Sequence, residues 1–368
     1  MSEYRFKTTR PELPAIEDWL PFAREAYAAN WFTNFGALSR RLEDAFAAAW
    51  GFEQTACVVA SSATVALAAP LIARRVSGRV VIPAFTFPAT LSAVKMAGCT
   101  PVLADCAARD WVIDADELRQ RLRDGAEAAI VVSPFGLQTD FSDHIAVAKE
   151  QDALLIIDNA AGLGVARANV EASPDVCEVF SLHATKPFGI GEGGVVFSHH
   201  NNAGALRSAL NFGLNAPENG PHWGVNGKMA EIQAAIGLAA IEAFPGRLRL
   251  RRAFASAYME ALGAFEAITY PVRPEASAWQ MFPVLLPTAD AAARAIAAAH
   301  RAGMEARPYY RPSLSHLPDM SAQACPISEQ LAARMVCFPV YSIDDGEERE
   351  EMVAIVSRAV VVGLGRGI

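Results

Sequence analysis

Two rhythms of apolar residues organise this chain. Short unbroken apolar runs alternate with longer stretches in which apolar positions recur about every three to four residues. The runs Ala56–Ala60, Val80–Ile82, Pro101–Ala104, Ala129–Ser133, Leu154–Ile157, Glu178–Leu182 and Gly194–Ser198 read as strands. Between them Thr64–Arg75, Pro88–Ala97, Ala115–Arg123 and Asp143–Gln151 carry helical spacing. Two further helices, Ile16–Ala29 and Leu38–Trp50, precede this alternation, and Gly51 ends the second. Short apolar runs bounded by Pro, Gly or Asp fit strands covered on both faces. The pattern therefore predicts an α/β fold with a mostly parallel sheet between helical layers.

Beyond a helical stretch from Lys228 to Phe244 the rhythm changes. Pro245–Gly246 punctuates the chain, and long helices with few strands follow, Gln280–Leu286 among the strands. The Ala-rich Ala289–Ala299 reads as a helix. This predicts a large domain over 1–245 and a smaller α/β C-terminal domain over 246–368. The N-terminal helix within 1–30 is a candidate to pack on the smaller one. A length of 368 residues agrees with about two domains.

Composition narrows the class. A hydrophobic share of 52% with 20% charged residues is that of a globular protein. The net charge is −8, and the short run Arg247–Arg252 reads as a solvated helix face, so nucleic acid is not an expected partner. Met1–Pro14 is polar and lacks the apolar core of a leader. Met229–Phe244 is interrupted by Glu231, Gln233 and Glu242, so no membrane span is expected. The six cysteines show no C-x-x-C spacing and read as buried thiols of a cytoplasmic protein.

Several short segments could carry chemistry, and each has a plain structural reading beside the chemical one. Lys186 follows a strand end and precedes Gly189, Gly191, Glu192, Gly193 and Gly194; alone it could be a surface lysine beside a turn. Gly189, Gly191 and Gly194 satisfy G-x-G-x-x-G, but they lead into the β-like Val195–Phe197 rather than a helix. No acidic residue lies over 209–215, so a dinucleotide fingerprint is rejected. Asp158 closes a buried strand, where open α/β sheets place ligands; alone it could be a helix cap. Ser61-Ser62-Ala63-Thr64 joins a strand to a helix, a place for an anion or for simple capping. Phe87 ends Phe85-Thr86-Phe87 and could be core. His199-His200 reads as a polar loop rather than a metal site. His183 reads as a packing or hydrogen-bonding residue. Tyr309-Tyr310-Arg311 and His316 are possible substrate contacts.

The order of these parts is more specific than any one of them. Trp31–Gly36, Pro83–Thr90, Ser181–Gly194 and Asn226–Ala235 together resemble the DegT/DnrJ/EryC1/StrS family of sugar aminotransferases. The resemblance covers most of the chain. It implies a pyridoxal 5′-phosphate (PLP) enzyme of transferase fold type I. Lys186 would be the Schiff-base lysine and Asp158 the partner of the ring nitrogen. Phe87 would stack on the ring. Ala63, Thr64 and Ser181 would hold the phosphate. Asn226 would reach the phosphate of a neighbouring subunit, which implies a homodimer with shared sites. The implied reaction moves an amino group from glutamate or glutamine to a keto group of a nucleotide-linked deoxysugar. A keto-cyclitol acceptor and a non-catalytic regulatory role stay open. A dehydratase of the same family carries His in place of the lysine, which Lys186 disfavours. The sequence departs from the family pattern at Ala161, where many members carry Gln, and at Leu182, where Phe is common.

Overall fold

The computed structural model describes residues 4–51, 54–165, 173–271, 276–320 and 323–366, and every candidate site residue lies within them. Two helices open the chain, α1 (Ile16–Ala28) and α2 (Ala37–Trp50). Then strands and helices alternate: β1 (Thr55–Ala60), α3 (Ala63–Ala73), β2 (Arg79–Pro83), α4 (Pro88–Met96), β3 (Thr100–Ala104), α5 (Ala115–Arg123), β4 (Ala126–Val132), α6 (Ser142–Glu150) and β5 (Leu154–Asp158). Two strands, β6 (Val176–Ser181) and β7 (Gly194–His199), follow before α7 (Ala203–Ala209).

Among the described residues these strands form one sheet in the order β1-β7-β6-β5-β4-β2-β3. Strands β3, β2, β4, β5 and β6 run parallel. Strand β7 is antiparallel to both β6 and β1. The carboxyl ends of β1, β2, β4, β5 and β6 therefore share one edge, where such sheets place their ligands. Strands β5, β6 and β7 are buried along their whole length, as their near-continuous apolar runs require. His199 corrects the polar-loop reading: it is the last residue of β7, buried, with Nε2 3.1 Å from Gln54 Oε1.

The second correction concerns Pro245–Gly246. Helix α8 runs unbroken from Glu231 to Leu262 with Pro245 inside it. A proline removes one helical hydrogen bond, but the long apolar stripe on either side of it stays packed, from Ala234, Ala235 and Phe244 on one side to Phe254 and Tyr258 on the other. Nor is Arg247–Arg252 wholly solvated. Arg251 is buried, and donates to the carbonyls of Trp279 at 2.9 Å and Gln280 at 3.0 Å. Burial pulls its pKa down to about 10, with the Glu12 carboxylate opposing.

After α8 come β8 (Met281–Leu285), α9 (Ala289–Arg301), α10 (Pro326–Arg334), β9 (Met335–Pro339) and α11 (Gly346–Gly363). Strands β8 and β9 pair antiparallel, and Trp279, Phe282, Phe338, Met352 and Val356 form part of their core. The N-terminal segment joins this core through Phe6, whose N–H donates to Gly303 O, while α1 lies against α8. All six cysteines are buried, and none is in a disulfide. No helix among the described residues is long and apolar enough to cross a membrane.

Glu231 fastens α2 to the first turn of α8. Its carboxylate is 1% exposed and accepts from the N–H groups of Leu38 at 2.7 Å and Ser39 at 3.3 Å, the unpaired donors at the start of α2. Replacing Glu231 by Ala leaves these donors buried without an acceptor. The expected loss is about 1–3 kcal/mol, to be read as a lower urea midpoint at unchanged slope; an unaltered midpoint would contradict the role given to this carboxylate.

Candidate active site

At the shared carboxyl edge of the sheet lies a cavity of about 490 Å³. Ala63 and Thr64 line it from the first turn of α3, Phe87 from the end of the β2–α4 connection, and Asp158 from the last position of β5. Ser181 lines it from the end of β6, and Lys186 from the loop before β7. Six of the seven residues singled out in the sequence thus meet in one place. Asn226 does not: it is exposed, outside the lining, and accepts from Lys228 Nζ at 2.7 Å.

Each wall has a local cause. Ser62 caps α3, its hydroxyl accepting from Val65 N–H at 3.4 Å, which leaves the other first-turn donors beside the cavity. Gly194 opens β7 directly against this turn. A β-carbon there would stand 2.7 Å from Ala63 N and from Ser62 O, so only glycine permits the approach. Gly191 has φ of 110°, closed to ordinary side chains, and a β-carbon would also meet Gln233 Nε2 at 2.7 Å. That amide donates to Ile190 O at 2.8 Å and so pins the glycine loop to α8. Phe85 is buried core, as expected of a strand-end Phe, but Phe87 keeps 57% exposure with its ring beside the cavity. A bare aromatic beside buried charges is out of place in a core and suits a flat ring.

Asp158 is buried, and it is held by two donors. Thr90 Oγ1 donates to Oδ2 at 2.9 Å, and Ala160 N–H to Oδ1 at 3.3 Å. Thr86 Oγ1 lies 2.9 Å from Thr90 Oγ1 and completes the chain of hydroxyls. Burial raises the Asp158 pKa, while Thr90, the Lys186 charge and the Ala160 N–H oppose it. Lys186 is shifted the other way. Burial lowers its pKa to about 8, and Asp158 works against that shift. Both shifts favour neutral groups, as desolvation demands. The Lys186 amine donates to Gln280 Oε1 at 3.1 Å.

Other residues enter from elsewhere in the chain. His183 lines the cavity with Nδ1 2.9 Å from Thr185 Oγ1, in keeping with a hydrogen-bonding role. Tyr309 and Tyr310 also line it, whereas Arg311 and His316 do not. Thr90, Gln280 and Arg307 were not singled out in the sequence, yet Gln280 and Arg307 line the cavity and Thr90 holds Asp158. A signal existed for two of them. Thr86 and Thr90 stand four apart at a helix start, and Gln280 is a lone polar residue between Trp279 and an apolar strand. Arg307 had none, because its place depends on Glu305, which accepts from its Nη2 at 2.6 Å.

Residues 16–357 match the model of the DegT/DnrJ/EryC1/StrS aminotransferase family. The chain belongs to this family. It is a PLP-dependent aminotransferase. The similarity extends over whole chains. Protein Rv3402c of Mycobacterium tuberculosis is 29% identical over 96% of this chain and 90% of its own length. The dTDP-4-amino-4,6-dideoxy-D-glucose transaminase of Escherichia coli is 25% identical over 98% of this chain and 99% of its own. Among solved structures, that of DesI in the presence of its TDP-sugar product superposes with a TM-score of 0.88 at 26% identity. It covers all of this chain and 95% of that one.

The cavity fits the cofactor that this aminotransferase uses. It offers a desolvated amine, a buried carboxylate, an uncovered aromatic ring and a helix start closed over by glycine. Ala161, small and buried, lines the cavity with no polar side chain of its own.

Lys186 in the cofactor-free chain is expected to react with trace acetic anhydride along a curve centred near pH 8, well below the ~10.4 of exposed lysines. Asp158→Asn removes the neighbouring charge that raises this pKa, so the curve should move to lower pH. Mass spectrometry of the Lys186 peptide reads both; a curve at the ordinary lysine position would contradict the desolvated amine.

Proposed function

We propose that this aminotransferase moves an amino group from glutamate or glutamine to a keto group on a nucleotide-linked deoxysugar. The observation that carries the reading is the half-buried Lys186 amine and the buried Asp158 carboxylate lining one cavity. The substrate class draws on the relatives. One is a dTDP-4-amino-4,6-dideoxy-D-glucose transaminase, and the GDP-perosamine synthase of Caulobacter vibrioides is 28% identical over 70% of both chains.

PLP, when bound, supplies an aldehyde that captures amines and a ring that takes up electrons. The chain supplies the rest. Lys186, whose pKa burial lowers to about 8, would offer its amine to that aldehyde and, as a free base, would move a proton at the reacting carbon. Asp158, fixed by Thr90 and Ala160, holds a proton at the ring nitrogen. The first turn of α3, with Thr64 and Ser181, receives the phosphate. Phe87 supports the ring's face. Arg307, Tyr309 and Thr9 also line the cavity, where they would face the acceptor. The donor leaves as its keto acid, and the acceptor's keto oxygen is replaced by the amine.

The same reading includes a homodimer in which Asn226, exposed here, completes the phosphate site of the partner. It includes a large domain over 1–245, a smaller one over 246–368, and a cytoplasmic location.

The test is amine transfer with glutamate to a panel of keto-deoxysugar nucleotides and a keto-cyclitol, read by product mass. Transfer to a nucleotide sugar, lost by about 1,000-fold or more in Lys186→Ala, is the expected result. Transfer to the cyclitol alone would replace the acceptor class. Failure of every acceptor, with no bleaching of the cofactor's visible band by glutamate, would reject the reading.

A further inference from the structure

Lys186 has one hydrogen-bond acceptor in the cavity that the proposed chemistry does not use. We propose that Gln280 is a further active-site residue: its side-chain carbonyl docks the free Lys186 amine and keeps it aimed for proton transfer. The inference rests on the role given above to Lys186.

The geometry is direct. Lys186 Nζ donates to Gln280 Oε1 at 3.1 Å, across ninety-four residues of sequence. A lysine side chain has many rotamers, so a released amine would spread over many positions. A single acceptor removes most of that freedom. Asp158, steadied by Thr90 and Ala160, is the group assigned above to the ring nitrogen rather than to the amine.

The backbone that carries this acceptor is held at both its polar groups. Gln280 N–H donates to Phe135 O at 2.9 Å, and Gln280 O accepts from Arg251 Nη2 at 3.0 Å. Arg251 Nε donates to Trp279 O at 2.9 Å, and Ala278 N–H to Gly136 O at 2.7 Å. Trp279 has φ of 54°, a left-handed conformation that is strained in a non-glycine residue. It is fully buried and stacked on Phe282 at 5.4 Å. This turn, just before β8, is what directs Gln280 into the cavity instead of along the strand. Strain kept in place by a buried arginine and a stacked indole marks a position that the fold over-determines.

The choice of an amide has a chemical reason. A carbonyl accepts from an amine without adding a charge, so it orients Lys186 and leaves it free to lose its proton. A carboxylate in that position would favour the ammonium form. The charged and titratable groups around Lys186 are Asp158 on β5, His183 and Glu192 on its own loop, and Arg307, Tyr309 and Tyr310 from the C-terminal part. Glu192 and His183 are mutually near, with Oε1 and Nε2 3.6 Å apart, and Arg307 is paired with Glu305. Gln280, which carries no charge, is the group that touches the amine.

The experiment compares Gln280→Glu and Gln280→Leu with the native chain. The cofactor-free proteins are labelled at Lys186 with trace acetic anhydride across pH. The holoenzymes are assayed with ordinary and α-deuterated glutamate. Gln280→Glu is expected to move the labelling curve to higher pH by about one unit or more. Gln280→Leu is expected to lower kcat by about tenfold or more, with KM for glutamate changed by less than about threefold and a larger deuterium isotope effect. A labelling curve in Gln280→Glu that superposes on the native one would overturn the proposal. So would a native kcat and isotope effect in Gln280→Leu. Lys186→Ala separates the two levels. If it abolishes transfer while both Gln280 variants behave as native, the docking role alone fails. If it leaves transfer intact, the reading of Lys186 fails and takes this inference with it.

Discussion

A lysine amine and an aspartate carboxylate drawn out of water at one cavity constrain everything around them. Removing an ammonium or a carboxylate from water is costly, and the fold answers this for each group in its own way. Asp158 receives a hydroxyl and a backbone N–H, from Thr90 and Ala160. Lys186 receives a neutral amide and sheds part of its affinity for the proton. The sheet brings the two together because β5 ends at Asp158 while the chain leaving β6 carries Lys186 back toward β7. The antiparallel β7, inserted between β1 and β6, places Gly194 against the start of α3. The amine, the carboxylate and the helix start are thus consequences of one strand arrangement.

Much of this was legible in the sequence because it is local. Strand-end residues announce themselves by the apolar run before them, as at Ala56–Ala60 and Leu154–Ile157. Gly191 and Gly194 stand where only glycine fits, and the spacing from Ser181 to Gly194 reports that need directly. Phe87 and Asp158 sit at fixed offsets from their strands for the same reason.

What stayed hidden depends on distant partners. Gln280 becomes part of the site only because Phe135 and Arg251 hold its backbone, and neither lies near it in sequence. Arg251 looked like one more exposed arginine in a basic helix, yet it faces inward to bind two carbonyls. Pro245 suggested a helix end, but tertiary packing on both sides outweighs one missing hydrogen bond. In each case a local rule was overruled by contacts that pair positions far apart.

Helix α8 deserves reading as a mechanical part. At 32 residues it is about 48 Å long. Its first residue clasps α2, and its middle reaches the turn that presents Gln280. Anyone recombining members of this family would be drawn to the proline as a seam. A junction there would saw through a beam, and would part the two ends whose spacing sets where Gln280 stands. The turn at Gly263, where the beam ends, is the seam that leaves it whole.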